Sequence, residues 1–407
     1  MIYKITIPAT LSKAGIFAAG FVASCSLFAD SSNNHPTFSK DVAPILYQNC
    51  VSCHRAGEIG PMPLTSYDEV KPFASLIGEH VTNRVMPPWG ANPEVGKFSN
   101  DPSLSDEAIA TITAWVAAGA PEGDARHLPE LPALTSGWRM DDPAVVLSVP
   151  EPFEVLPTGR SVYGNFMVST GFARDTFIQS SEVRPSLLAF THHANVYASI
   201  DGEEHRVAGY TPGGAIRNYP PGVAKLIPAN SELRVNQHYN PKGSEHLDPG
   251  TAFAFKLAQG PVKQLVYTDQ SGNRNIDIPP GEANYELKGQ VFEFEQDSHL
   301  ISFMPRMNER GKDIQYILVT PDGNEQVVLD VPRFHYGWIF TYELAEPIAA
   351  PAGSKLFSLA HFDNSAGNPH NPDPSARVPY GPEILNAYFE YVLDAQDLRS
   401  DFSLSQH

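Results

Sequence analysis

Cys50-Val51-Ser52-Cys53-His54 constrains this chain more than any other segment. It has the Cys-x-x-Cys-His form of a c-type haem attachment site. Two thiols three residues apart can both add to the vinyl groups of one haem. The histidine after them falls where a ring nitrogen can bind the iron. A zinc site would need a second ligand pair, and no cysteine follows Cys53. A thioredoxin-like dithiol would lie in a βαβ pattern, which the flanking sequence lacks.

The flanks predict short helices. Phe38, Val42, Ile45 and Leu46 recur at helical spacing over Phe38–Asn49. Ser66 and Glu69 form a capping box opening a second helix that runs to about Arg84. Ser105 precedes a third, with an apolar stripe at Ile109, Ile112 and Val116 and a stop at Gly119 and Pro121. Between the last two lies Val85-Met86-Pro87-Pro88-Trp89, held extended by its prolines. That suits presentation of Met86 to the second face of a haem, with Met62 as the rival. A His/Met pair raises the iron's potential.

Lys4 and Lys13 precede an apolar run, Ala14–Ala29, too short to span a bilayer and of the kind found in cleaved export signals. Val22-Ala23-Ser24-Cys25 also fits a bacterial lipobox, with Cys25 as a lipidated first residue. Both readings place the mature chain outside the cytoplasm, in the periplasm or tethered to the membrane by lipid. A net charge of −18 argues against nucleic-acid partners and against a basic patch for anionic lipid. Of three cysteines, one lies in the signal and two in the haem motif, so the rest of the chain is expected to fold without disulfides.

Beyond residue 139, 37 prolines in the whole chain and turns such as Thr320-Pro321-Asp322-Gly323-Asn324 separate short β-rich runs. That is the pattern of β-sandwiches. Expected strands include Ala144–Val149, Ser231–Gln237, Thr251–Leu257, Leu265–Tyr267, Val291–Glu295, Ile314–Val319 and Gln326–Val331. Asp277–Tyr285, polar and proline-rich, reads as a seam between two sandwiches. Thr191-His192-His193-Ala194 lies in one strand and Gln237-His238-Tyr239 in another. Adjacent strand residues point to opposite faces. Both members of the histidine pair can reach one metal only through a bend or through different ring nitrogens. Three imidazoles suit copper or zinc.

Several motifs together resemble the copper type II, ascorbate-dependent monooxygenases, the family of peptidylglycine α-hydroxylating and dopamine β-monooxygenases. They are Ala208–Gly213, Pro221–Lys225, Gln237–Gly243, Phe303-Met304-Pro305, Arg310-Gly311-Lys312, Leu329–Pro332, Asp363-Asn364-Ser365, Asn368-Pro369 and Asn371–Pro374. The resemblance covers most of 140–395, and bacterial members are often fused to a cytochrome c. It implies two jelly-roll-like sandwiches, an electron-handling copper on His192, His193 and His238, and a second, oxygen-binding copper on two histidines and a methionine. At the second site the family's Pro-His-Met-His-x-Arg-Gly is Pro305-Arg306-Met307-Asn308-Glu309-Arg310-Gly311 here, and its Glu-Met is Glu383-Ile384. All three ligands are gone, and arginine offers a fixed charge and no lone pair. His335, His361, His370, Met304 and Met307 are the remaining candidates for a rebuilt site.

The expected fold class is thus multidomain. An all-α cytochrome c domain (35–126) and a linker (127–139) precede two antiparallel β-sandwich domains (140–278 and 285–400). The expected function is single-electron traffic between a His/Met haem, on Cys50, Cys53, His54 and Met86, and one three-histidine copper. Its partner is a small reductant or a redox protein, and hydroxylation of a small substrate is the alternative. A cytochrome with a non-catalytic docking module is the third.

Overall fold

The computed structural model describes residues 35–394, apart from 136, 158–161, 201, 215 and 380–383. The signal and lipobox readings, Cys25 included, lie outside the described residues, as does Glu383. No helix among the described residues is long and apolar enough to cross a membrane.

Helix is confined to short pieces near the start. A π-turn, Phe38–Val42, runs directly into the helix Ala43–Asn49. The second expected helix is broken into Tyr67–Val70, a 3-10 turn and Ala74–Thr82. Pro72 lies at the break and has no N–H to continue the ladder. The capping box is also displaced. Ser66 caps nothing with its side chain, and the Glu69 carboxylate instead accepts from the backbone N–H of Thr65 at 3.0 Å. Asp106–Ala117 forms as its sequence predicts, with Ser105 Oγ accepting from the Ala108 N–H at 3.2 Å. Phe38, Leu46, Ile112 and Trp115 are fully buried among these helices.

The remainder is β-sheet. One nine-stranded sheet runs, in order, Val145–Ser148, Ala252–Leu257, Thr176–Arg184, Val223–Ile227, Gln264–Gln270, Leu385–Asp394, Ser298–Met307 and Tyr342–Ala350, with Arg217–Asn218 attached to Thr176–Arg184. Its first half packs against a four-stranded sheet of Val162–Ser169, Glu232–Tyr239, Thr191–Ile200 and Glu203–Tyr210. Its second half packs against a five-stranded sheet built on Gly311–Val319, Glu325–Val331 and Lys355–Phe362. Two sandwiches therefore share one backing sheet. The join is the antiparallel pairing of Gln264–Gln270 with Leu385–Asp394, from Gln264 opposite Asp394 to Gln270 opposite Tyr388. The proline-rich seam holds a bridge from Ile278 to Val378 and enters a strand only at its last residue, Tyr285.

The expected fold class is corrected on two counts. The start of the chain is not an all-α domain, because residues 83–104 hold no helix and the stretch 89–100 packs on the second sandwich. Asn92 bonds to Asp330 through backbone and side chain, both at 2.8 Å, and Ser99 N–H donates to the Glu343 carbonyl at 2.8 Å. Trp89 and Phe98 pack against that sandwich's core, with Trp89 4.6 Å from the Tyr342 ring. A free-standing helical domain would leave those aromatic faces in water, at a cost of roughly 25 cal/mol per Å². Nor is the chain a string of separate domains, since from Pro36 onward it forms one compact unit. Opposed sheets enclosing apolar cores are the part of the expectation that the structure contains.

Candidate metal centre and haem-attachment motif

His192, His193 and His238 converge because one strand is irregular. Between Thr191–Ile200 and Glu232–Tyr239 the register places Thr191 opposite Tyr239 and His193 opposite His238. His192 is the extra residue of a β-bulge, which re-aims its side chain. The alternation that would have separated the histidine pair is thereby cancelled. One ring nitrogen from each of the three lies within 4.8 Å of the others, and all three residues are buried.

The protons can be placed from partner chemistry. An Arg306 Nη2 lies 2.6 Å from His193 Nε2. A guanidinium only donates, so Nε2 accepts and Nδ1 carries the proton. His193 Nδ1–H then donates to His192 Nδ1 at 2.9 Å, and His192 Nε2–H donates to the Tyr336 carbonyl at 3.0 Å. Every donor in this chain finds an acceptor. Burial first, and the Arg306 charge second, hold His193 well below the ordinary histidine value and His238 down to about 3. His193 and His238 therefore stay neutral, and His192 keeps a lone pair on the Nδ1 that accepts from His193, which is the state a transition metal binds.

The donor set fits one small ion of the copper or zinc type. Binding through His193 Nδ1 would move its proton to Nε2, which then confronts a second donor. Arg306 would have to withdraw. The residue standing where the resembled family has a histidine is thus not inert filler but a competitor for the first metal site.

Among the described residues no second group of three histidine, cysteine, aspartate or glutamate side chains is placed to hold a metal. Met304 and Met307 are 3% and 2% exposed in the core. Asn308 Oδ1 accepts from Arg310 N–H at 3.0 Å, and Ile384 is buried in the second core. His361 Nδ1 bonds to Asp313 at 2.6 Å, whereas His335 and His370 meet edge to face with ring centroids 5.1 Å apart.

The haem motif closes the helix Ala43–Asn49, with both cysteines as free thiols. Burial, then the neighbouring Cys53, pushes the Cys50 thiol up to about 12. The segment after the motif folds back tightly. Gly60 N–H donates to the Cys53 carbonyl at 2.9 Å, and a Cβ at 60 would fall 2.8 Å from His54 Nδ1. His54 Nδ1–H donates to the Met62 carbonyl at 3.1 Å, leaving Nε2 for a metal. Met62 therefore stands on His54's own side. Met86 enters from the separate loop after Ala74–Thr82, its N–H 3.3 Å from the His80 carbonyl.

One segment runs from the histidines to the residues that flank Met86. The Tyr336 ring stacks on His192 at 4.3 Å, and Trp338 and Phe340 join Val85, Pro88 and Trp89 around a cavity of about 230 Å³. Sequence reasoning missed Tyr336 and the reach of Arg306 to His193. No local pattern marks a carbonyl as a histidine's partner, and substitution at 306 read only as a lost ligand.

No family model matches the chain, and no curated protein matches it. Among solved structures, it is similar to peptide-N(4)-(N-acetyl-β-D-glucosaminyl) asparagine amidase at 9% identity, over 61% of this chain and 96% of that one, with a TM-score of 0.31. The major capsid protein P2 of bacteriophage PM2 matches at 7% identity, over 61% and 97%, with a TM-score of 0.28. Similarity this weak carries no argument about function.

Proposed function

We propose that this chain is an extracytoplasmic electron-transfer protein. In this reading a haem attached at Cys50 and Cys53 exchanges single electrons with one copper held by His192, His193 and His238. The observation that carries it is the bulge at His192, which brings three neutral, buried imidazoles together where a regular strand would part them. When bound, each metal would supply a one-electron couple. His54 Nε2 and the Met86 sulfur would hold the haem iron, and Met62 is disfavoured by its place beside His54. The segment 336–340 links the two regions along the chain, with Tyr336 on His192 at 4.3 Å and Phe340 5.8 Å from Trp89 in the loop that follows Met86. The electron donor is a small reductant or a redox protein, and the resemblance to copper monooxygenases supports copper over zinc. Hydroxylation is disfavoured by Arg306, Asn308 and Ile384, none of which can replace an imidazole or thioether.

Metal analysis of the exported protein tests this reading. One copper and one covalent haem are expected per chain, and His238→Ala should lose the copper while keeping the haem. Met86→Ala should lower the haem potential and remove the weak near-infrared sulfur-to-iron band. Two coppers in the wild type, copper retained by His238→Ala, or haem extractable without bond cleavage would overturn it.

A further inference from the structure

Where the shared sheet passes from one sandwich to the other, a cavity of about 120 Å³ is lined by four cations, Arg139, Arg206, Arg217 and Lys225, and by the carboxylates of Glu182, Glu343 and Glu390. In a chain of net charge −18, four cations around one cavity are an exception. Their pairing leaves a surplus. Arg217 bonds to Glu390 at 2.6 Å and to Glu343 at 2.7 Å, and Lys225 meets Glu390 at 2.8 Å. Arg206 is the third cation of this group, which holds only those two carboxylates. At the other end Arg139 and Arg184 share one buried carboxylate, Glu182, each at 3.6 Å. Around the cavity itself four cations therefore face three carboxylates, a surplus of one positive charge.

Glu390 has no capacity left for the surplus, since it also accepts from Tyr219 at 3.0 Å and Ser302 at 2.9 Å. Arg206 does have donors to give. Its Nε donates to Asn195 at 2.8 Å, and its terminal nitrogens make no further hydrogen bond among the described residues. The guanidinium lies over Gly209, where any side chain would collide with it. Uncompensated positive charge in a recess is costly unless an anion joins it. Phe340, Val183 and Ala208 add an apolar wall, which an inorganic ion would not use.

We propose that this cavity binds a small organic carboxylate, held by Arg139, Arg206 and Arg217 with its carbon end against Phe340. Guanidinium forks match carboxylate geometry in pairs, which fits a ligand at the crossing of three arginines. The cavity contains none of the three histidines, but Arg139, Glu182 and Tyr210 also line an adjoining recess against Ser52 and Cys53, so only its separation from the copper ligands is tested below.

Calorimetric titration of the full-length holoprotein with malonate, and with sulfate for comparison, tests it. Two variants at partly exposed positions should move binding in opposite directions. Arg139→Gln should weaken malonate at least tenfold, and Glu343→Gln, which frees Arg217, should tighten it several-fold. The copper electron-paramagnetic-resonance spectrum should not change on adding malonate. No malonate binding, identical binding in both variants, sulfate binding as tight as malonate, or a malonate-shifted copper spectrum would each overturn the proposal.

Discussion

The two sandwiches use one sheet in different ways. The second buries a continuous apolar core, including Phe294, Phe303, Tyr316, Phe362 and Phe389, with its aromatic rings in contact. The first has a smaller apolar core and buries polar groups beside it: three histidines, Gln237, Asp248, Glu182 and Lys225. A buried polar group must be hydrogen-bonded or it destabilises the fold. The first half thus gathers the histidines, while the second half's largest buried side chains are aromatic, and the two share one sheet. The lesson extends to Arg306, a strand residue of the second sandwich whose guanidinium reaches a histidine of the first.

That contrast can be broken experimentally. Phe303→Ala removes a fully buried ring 4.9 Å from Tyr316 and should cost about 3–5 kcal/mol. If the shared sheet couples the halves, denaturant unfolding should remain a single transition by fluorescence and by circular dichroism. Two transitions with only one shifted would separate the sandwiches.

Glu390→Gln should cost about 3–5 kcal/mol at neutral pH, because it strands buried cations. Its pH dependence has a definite sign. Burial alone would raise the Glu390 carboxyl, but Arg217 and Lys225 outweigh it and hold it well below the usual 4.5. Lys225 itself is pushed down by burial to about 8, so it stays charged at neutral pH. The folded value of Glu390 lies below the unfolded one. Its contribution is therefore present above about pH 4.5 and is lost as pH falls towards the folded value. Unfolding midpoints measured from pH 7 to pH 3 should fall less steeply in the variant.

Arg306→Gln should raise copper affinity at least tenfold, worth about 1.4 kcal/mol, by removing the charge and donor that compete at His193. Competition with a chelator of known affinity measures it. Unchanged affinity would mean that Arg306 does not contest the site. The smallest effect belongs to the helical start, where Ser105→Ala removes one cap and should cost about 1 kcal/mol.

How far the chain was legible varies by element. Asp106–Ala117 was readable from cap and stripe, and Ile314–Val319 and Gln326–Val331 from short apolar runs between turn residues. These are local signals. The break at Pro72 was equally local, but the capping pattern at Ser66 obscured it. The segment 83–104 was misassigned to a helical domain. Its prolines announced extended backbone, yet nothing nearby revealed that Trp89 would pack against Tyr342 or Asn92 bond to Asp330. Contacts across more than two hundred residues leave no trace in a local window.

The sequence alone determined which side chains can do chemistry: Cys50, Cys53 and His54 in one motif, the histidine pair with His238, and the missing donors at 306, 308 and 384. Only the tertiary structure decided that His192 bulges, that Arg306 faces His193 rather than a second metal, and that four cations meet where the sandwiches join. Residue types are local and survive in any fold. Strand register and sheet order are set by hydrogen bonds between distant segments, and those fix where a side chain points.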